Sequence, residues 1–289
     1  MVYWEKADHS WTKDSERVIH TPSQKSKELF FYLQEIGHFK AFKPYFTERE
    51  NLPSYLIKFT LGGQGFLQYQ GKEYHLKPGD FFWIDCQEHQ LYKTVSEEPW
   101  EMVWIHFYGG QSQSLYQEYC KDKSPVFHAT GQASDNPIYR IISLLIQQQK
   151  NANARTDFHT SVAVHKLLNE AILQKYQLDF AVEDIPKQVT LLKEYLDQRF
   201  KENLTLDDLE TVFHINKYQL NKQFSKYIGI PPIDYLITKK ISYAKDLLRY
   251  TNASIQNISL EIGIENFAYF SRLFKNKTGM TATFYRKQG

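Results

Sequence analysis

The chain has 289 residues, 42% of them hydrophobic and 24% charged, with a net charge of +2. That length leaves room for two domains, and the composition excludes a disordered chain or a collagen-like fibre. No apolar run approaches the roughly 18 residues of a membrane span. The segment Met1 to Ser10 carries Glu5, Lys6 and Asp8 and lacks an apolar signal core, so the chain is expected in the cytoplasm. Cys86 and Cys120, the only cysteines, are too few for a disulfide framework or a four-thiolate zinc site. The small net charge hides an asymmetry. Residues 187–289 hold 16 Lys and Arg against 10 Asp and Glu, a balance of +6, and the remainder stands at −4. A basic C-terminal third suits a polyanion-binding module, although a solvated surface carries the same balance.

Residues 1–50 are mixed and aromatic-rich. From Ser54 to Phe107 the texture is β, with short runs separated by turn residues. Strands are expected at 54–61, 66–69, 73–76, 81–84 and 101–107. Gly62 to Gly65, Gln70-Gly71 and Lys77-Pro78-Gly79-Asp80 form the turns between them. Many short, closely spaced strands argue for a small barrel or sandwich. Helices follow at 137–149, with Ile138, Ile141, Ile142, Leu145 and Ile146 at helical spacing, and at 158–177. The second helix carries a stripe of Val162, Leu167, Leu168, Ala171 and Ile172. That stripe either covers its own barrel or joins a homodimer. A linker spans Tyr176 to Lys187.

From Thr190 onward the pattern is helical throughout. Leu191 to Phe200 is amphipathic. Thr205 and Asp208 form a variant capping box ahead of Leu206, Leu209 and Val212. Helices are expected at 217–227, from Pro231-Pro232 to about Tyr250, at 255–261 after Ser254, and at 266–277. Gly229 and Gly279 act as stops. This region repeats itself. Leu206 and Leu209 match Ile255 and Ile258 at an offset of 49, while Leu220, Phe224 and Gly229 match Phe270, Phe274 and Gly279 at 50. Each copy is a short helix, a tight turn and a longer polar helix, the helix-turn-helix pattern whose second helix enters a DNA major groove.

The stretch Lys240-Ile-Ser-Tyr-Ala-Lys-Asp-Leu-Leu248, with Ser254-Ile255, Ile258, Gly263, Tyr269 to Lys275, Gly279 and Tyr285-Arg286, resembles the signature of the AraC/XylS regulators. Residues 62–65, 71–80, His89, Pro99-Trp100 and 104–107 resemble the sugar-responsive members of that family. The resemblance implies an α+β chain. Residues 1–180 would form a cupin-like β-barrel with following helices, binding an effector and supporting dimerisation. Residues 181–289 would form an all-α DNA-binding domain of two helix-turn-helix units. Some positions depart from the pattern, with Ile264 in place of the usual phenylalanine, a tolerable apolar swap, and Ala282 in place of the usual proline, which matters little. Glu210 stands where the family places a small residue, which puts the geometry of the first unit in question, whereas Ser259 fits the same place in the second.

Carried over residue by residue, the resemblance puts Tyr218, Asn221 and Lys222 of the first unit, and Phe267, Ala268 and Ser271 of the second, toward the groove. Asn suits adenine and Lys suits guanine, whereas the second set offers one hydroxyl and apolar surface for thymine methyls. Lys226, Arg272 and Lys275 are expected on phosphates. Phe267 is equally suited to local packing.

In the barrel, His75, His89 and His106 are isolated and no His-x-His cluster occurs, so no metal, cofactor or catalytic residue is expected. Strand parity puts Met102, Trp104 and His106 on one face and Val103, Ile105 and Phe107 on the other. The first face combines aromatic and polar groups suited to a sugar, with Trp83, Tyr92 and Arg49 as further candidates. Trp83 and Trp104 either line that pocket or fill the barrel. The expected activity is that of a DNA-binding regulator responding to a small molecule, a carbohydrate by preference, and RNA polymerase is a further partner the resemblance allows. The alternatives are a metal-dependent cupin enzyme with a helical appendage, and a regulator of the same type controlled without a small molecule.

Overall fold

The computed structural model describes residues 2–288. The chain divides into two compact units, 1–179 and 180–289.

In the first unit, β1 (Trp4–Asp8), β2 (Glu16–Ile19), α1 (Gln24–Leu29), β3 (Phe31–Ala41) and β4 (Phe46–Glu50) come from the mixed N-terminal stretch that gave no strand pattern. They are followed by β5 (Tyr55–Gly62), β6 (Gly65–Tyr69), β7 (Lys72–Leu76), β8 (Asp80–Asp85), β9 (Gln90–Thr94) and β10 (Trp100–Gly109). Then come α2 (Ser112–Tyr119), β11 (Val126–His128), α3 (Pro137–Lys150) and α4 (Thr156–Tyr176). The strands build two facing antiparallel sheets, ordered β1-β4-β9-β6-β7 and β11-β8-β5-β10-β3-β2.

Two apolar layers result. Phe39, Leu56, Leu67, Tyr69, Phe82, Ile84, Trp100 and Met102 lie between the sheets. Ile57, Phe59, Phe81, Trp83, Val103, Ile105 and Phe107 pack on the other side of the six-stranded sheet, against Ile138, Ile142 and Leu145 of α3 and Val164, Leu167 and Leu168 of α4. The central strands β5 and β10 are therefore buried on both faces, and their sequences read as almost continuous apolar runs. A bulge between His106 and Phe107 pairs them with Glu35 and Leu33 and skips Gln34. It puts Leu33 on the helix-facing side with Ile36, while Glu35, Gly37, Phe39 and Ala41 keep one phase.

In the second unit, α5 (Lys187–Gln198), α6 (Leu206–Phe213), α7 (Lys217–Ile228), α8 (Pro232–Tyr250), α9 (Ile255–Glu261), α10 (Phe267–Thr278) and α11 (Ala282–Gln288) form two cores. Val189, Leu192, Leu196, Leu209, Leu220 and Phe224 make one, completed by Leu236 of α8. Ile241, Ala244 and Leu248 of α8 open the other, with Ile258, Ile262, Ile264, Phe270, Phe274 and Ala282. One helix thus feeds both repeats. At 19 residues it is about 28 Å long.

The caps follow the sequence. Thr205 and Asp208 form the reciprocal box, the Asp208 carboxylate accepting from the Thr205 amide at 2.8 Å. Asn216, Ser254 and Asn266 cap α7, α9 and α10 with their side chains. The extra residue of the second repeat is also located. In each turn one residue is left-handed, His214 (φ 52°) and Gly263 (φ 71°). Ile215 alone separates His214 from its N-cap, where Ile264 and Glu265 separate Gly263 from its own.

Lys240, 4% exposed, holds the second turn together. Its Nζ donates to the carbonyls of Ile262 at 2.6 Å, Lys201 at 3.2 Å and Gly263 at 3.4 Å. Burial lowers its pKa from 10.5 to about 8. Between those values the unfolded chain holds the extra proton, so the stability of this unit should rise with pH across that window. Lys240→Met orphans the carbonyls and should cost about 1–3 kcal/mol. It should also flatten the rise. Thermal unfolding followed at neutral and alkaline pH reads both effects, and an unchanged pH slope in the variant would refute the assignment.

Candidate functional site

The two units carry two different kinds of site. In the first, a cavity of about 150 Å³ opens into the space between the sheets. It is smaller than the roughly 300–1,000 Å³ of sites for drug-sized ligands. Strand parity decides its lining. On β10, Trp104 and His106 face inward opposite Gly37 and Glu35 of β3. Trp104 also pairs with Lys58 of β5. Gly37 is required here, because a Cβ would lie 2.8 Å from the Trp104 ring and 2.5 Å from the Glu16 carbonyl. Arg49 and Thr47 enter from β4 and Tyr92 from β9, while Tyr3, Glu5, His9, Trp11 and Arg17 close the cavity from the N-terminal segment.

One wall is aromatic. The Trp11 and Phe39 rings stack at 4.5 Å, and Phe39 meets Trp104 edge-on at 5.1 Å. The remainder is polar. Arg49 donates to the Tyr92 hydroxyl and pairs with Glu5 at 3.4 Å. Nearer the rim, Arg17 pairs with Glu35 at 2.8 Å. Deep inside, Lys58 is 2% exposed and donates to the Tyr45 hydroxyl at 3.1 Å, with its ammonium 3.8 Å from the Tyr92 ring centroid. Burial, reinforced by Arg49, holds its pKa well below that of an ordinary lysine. A desolvated cation–π contact returns about 2 kcal/mol, less than the several kcal/mol that burying an ammonium costs. His106 shares a 2.9 Å hydrogen bond with Ser54. Burial, with Arg49, Lys58 and Arg17 adding to it, depresses its pKa and keeps the imidazole neutral. Trp104 Nε1 and Arg49 Nε are buried without a hydrogen-bond partner, a cost that a bound ligand's acceptors would remove.

Arg49, Tyr92, Trp104 and His106 are therefore brought together. Trp83 is not. It alternates with Phe82 and Ile84 on β8 and turns to the opposite side of the sheet, 5.0 Å from the Tyr119 ring. Its place in the core under the helices corrects its assignment to the effector site. Sequence reasoning missed Lys58, Arg17, Glu35 and Trp11. Lys58 had a signal, being a lone lysine within an apolar strand. The others depend on β2, β3 and the N-terminal segment, where no strand pattern was visible.

The isolated histidines stay apart. His75 lies against the Phe66 ring and His89 contacts Glu48 at 3.1 Å, while His106 is inside the barrel. Among the described residues no three His, Cys, Asp or Glu side chains gather as a metal site.

In the second unit, α7 and α10 present equivalent surfaces. Tyr218, Asn221 and Lys222 are the second, fifth and sixth residues of α7, as Ala268, Ser271 and Arg272 are of α10. Tyr218 is 76% exposed, Lys222, Lys226, Ala268, Arg272 and Lys275 are exposed, and Asn221 and Ser271 are half-buried. Phe267 is 43% exposed with its ring 6.4 Å from Phe270, so it is shared between surface and packing. Its counterpart is Lys217, which the sequence reading passed over and which pairs with Asp207 at 2.5 Å. Leu220, Phe224, Phe270 and Phe274 are buried core residues. Ser259 is enclosed and donates to the Ile264 carbonyl, whereas Glu210 at the matching place is only half-buried. The first unit therefore closes its core without enclosing a carboxylate.

A ligand-binding β domain followed by a paired helix-turn-helix domain defines a DNA-binding transcription regulator. Residues 33–168 match the AraC-like ligand binding domain, and residues 209–288 match a helix-turn-helix domain. The chain belongs to the AraC family of transcription regulators. It is 26% identical over 237 residues to the lactose operon transcription activator of Staphylococcus xylosus, covering 80% of this chain and 83% of that protein. It is 22% identical over 262 residues to the MmsAB operon regulatory protein of Pseudomonas aeruginosa, covering 89% and 83%. The bifunctional transcriptional activator/DNA repair enzyme AdaA of Bacillus subtilis is 38% identical over 99 residues, 34% of this chain and 47% of that protein.

Proposed function

We propose that the chain is a cytoplasmic, carbohydrate-responsive transcription regulator, not an enzyme, that reads DNA with α7 and α10. The observation that carries the effector half is the small cavity with one aromatic wall and a polar floor. The aromatic rings of Trp11, Phe39 and Trp104 suit the C–H face of a sugar ring, and Arg49, Lys58, His106 and Tyr92 suit its oxygens. The likeness to a lactose operon activator supports the same reading. Tryptophan fluorescence titration with monosaccharides, compared with Trp104→Phe to isolate the cavity signal, tests it, and no response to any sugar would remove it.

On the DNA side, Tyr218, Asn221 and Lys222 read base edges in the first half-site. Phe267, Ala268 and Ser271 contribute mainly apolar contacts in the second, while Lys226, Arg272 and Lys275 anchor on phosphates. Lys222 and Arg272 share one helical position, so they are the sharpest comparison. A base-by-base scan of the operator should show Asn221→Ala and Lys222→Ala losing about 1–3 kcal/mol of discrimination at single positions. Ser271→Ala should lose less. Arg272→Ala should weaken all sequences alike and reduce the salt slope by about 0.9. Equal behaviour of the Lys222 and Arg272 variants would overturn the division.

We also assign the outer face of α4 to a homodimer. Val162 is 70% exposed there, Leu173 36% and Phe158 51%, beside a groove lined by His165, Lys166 and Asn169. Exposed apolar side chains at both ends of a polar-lined groove support a self-complementary, two-fold contact.

A further inference from the structure

We infer that the effector is an anionic monosaccharide, with its acid group seated against Lys58 and Arg49 inside the barrel. The inference rests on the sugar reading of the cavity and concerns which sugars enter it.

Lys58 occupies the middle of β5, between Trp104 on β10 and Phe82 on β8. An ammonium has three protons to donate. Its polar partners are the Tyr45 hydroxyl at 3.1 Å and the Met102 sulfur at 3.5 Å, and aromatic faces fill the remaining directions. Among the described residues no carboxylate lies within ion-pair distance of it. The two carboxylates that line the cavity are already engaged, Glu35 by Arg17 and Glu5 by Arg49. The lining therefore holds three basic side chains, Arg17, Arg49 and Lys58, against two acidic ones, and the one without an acidic partner is the most deeply buried of the three.

Arg49 adds an independent observation. Its Nη atoms reach Glu5 and Tyr92, but its buried Nε has no partner. Arg49 and Lys58 converge on the same ring, their charged groups 5.7 and 3.8 Å from the Tyr92 centroid. A barrel that needed only filling would be better served by an apolar side chain at position 58, because a buried, unpaired ammonium is unfavourable. A carboxylate or phosphate on the ligand supplies the missing charge and an acceptor for Arg49 Nε. A neutral sugar supplies only hydroxyls. The cavity, about 150 Å³, admits a single ring with one such group.

The test is calorimetric titration of the full chain with matched sugars: glucose, galactose and mannose, their uronates, and their 6-phosphates. At least one acid should bind more than tenfold more tightly than its neutral parent. Preference for the uronate or for the phosphate identifies which acid group the site takes. Lys58→Met should reduce the preference to less than threefold. A neutral sugar that binds as tightly as its acids overturns this inference and leaves the sugar reading standing. Binding by none of the nine overturns both. An undiminished acid preference in Lys58→Met overturns the role of Lys58. The wild-type comparison decides the anionic character whether or not the variant folds.

Discussion

Gly263→Ala should destabilise the C-terminal unit by more than about 4 kcal/mol and abolish binding to the second half-site. Gly263 sits in the turn between α9 and α10 at φ 71°, a conformation that L side chains rarely adopt. Conformation is the lesser part of the cost. A Cβ there would lie 1.6 Å from the Lys201 carbonyl oxygen and 2.9 Å from Lys240 Nζ. Neither neighbour moves cheaply, because that carbonyl is itself bound by the buried lysine. Relief requires α9 to separate from the end of α5, which opens the core around Ile258 and Ile262. His214 provides the control. It occupies the matching left-handed place in the first turn with a side chain already present, so His214→Gly should change stability by less than about 1 kcal/mol. Chemical denaturation together with binding to each half-site measures both. A Gly263→Ala protein that unfolds like wild type would contradict the argument.

The second large effect separates two residues on one helix. Leu167→Asp should prevent the N-terminal unit from folding, whereas Val162→Asp should give a folded monomer. Leu167 has no exposed surface and packs between α4, α3 and the six-stranded sheet. Losing the leucine costs about 2–5 kcal/mol, and burying an unpaired carboxylate adds several more. The expected stripe of 158–177 therefore divides. Leu167, Leu168, Ala171 and Ile172 cover the barrel, and Val162 stands outside. A test of dimerisation made at Leu167 would only report unfolding. Circular dichroism and light scattering distinguish the outcomes. A Val162→Asp protein that is as dimeric as wild type would remove α4 from the interface.

The second unit was almost fully legible in the sequence, and the barrel cavity only in part. The helix-turn-helix pair is built from local signals: Thr205, Asn216, Ser254 and Asn266 as caps, Gly229 and Gly279 as stops, and leucines and phenylalanines at helical spacing. Such signals act within a few residues, so periodicity and capping rules reach them. Gly263 was legible in its place, but its close contact was not, because its neighbour Lys201 lies 62 positions earlier and is brought to it by tertiary packing alone. Along β10, alternation correctly separated Trp104 and His106 from Val103, Ile105 and Phe107. It did not say which side of a doubly buried sheet is the cavity and which the helix bed. Trp83 was therefore placed on the wrong side, although its own strand alternates cleanly. The N-terminal wall was hidden for a different reason. β1, β2 and β4 are short and carry mixed side chains, and β3 changes phase at its bulge, so no period of two survives. Their strand character comes from hydrogen bonds to partners tens of residues away. Only that pairing brings Glu5, Arg17 and Glu35 to a cavity whose deepest charge, Lys58, the sequence shows as a single lysine in an apolar run.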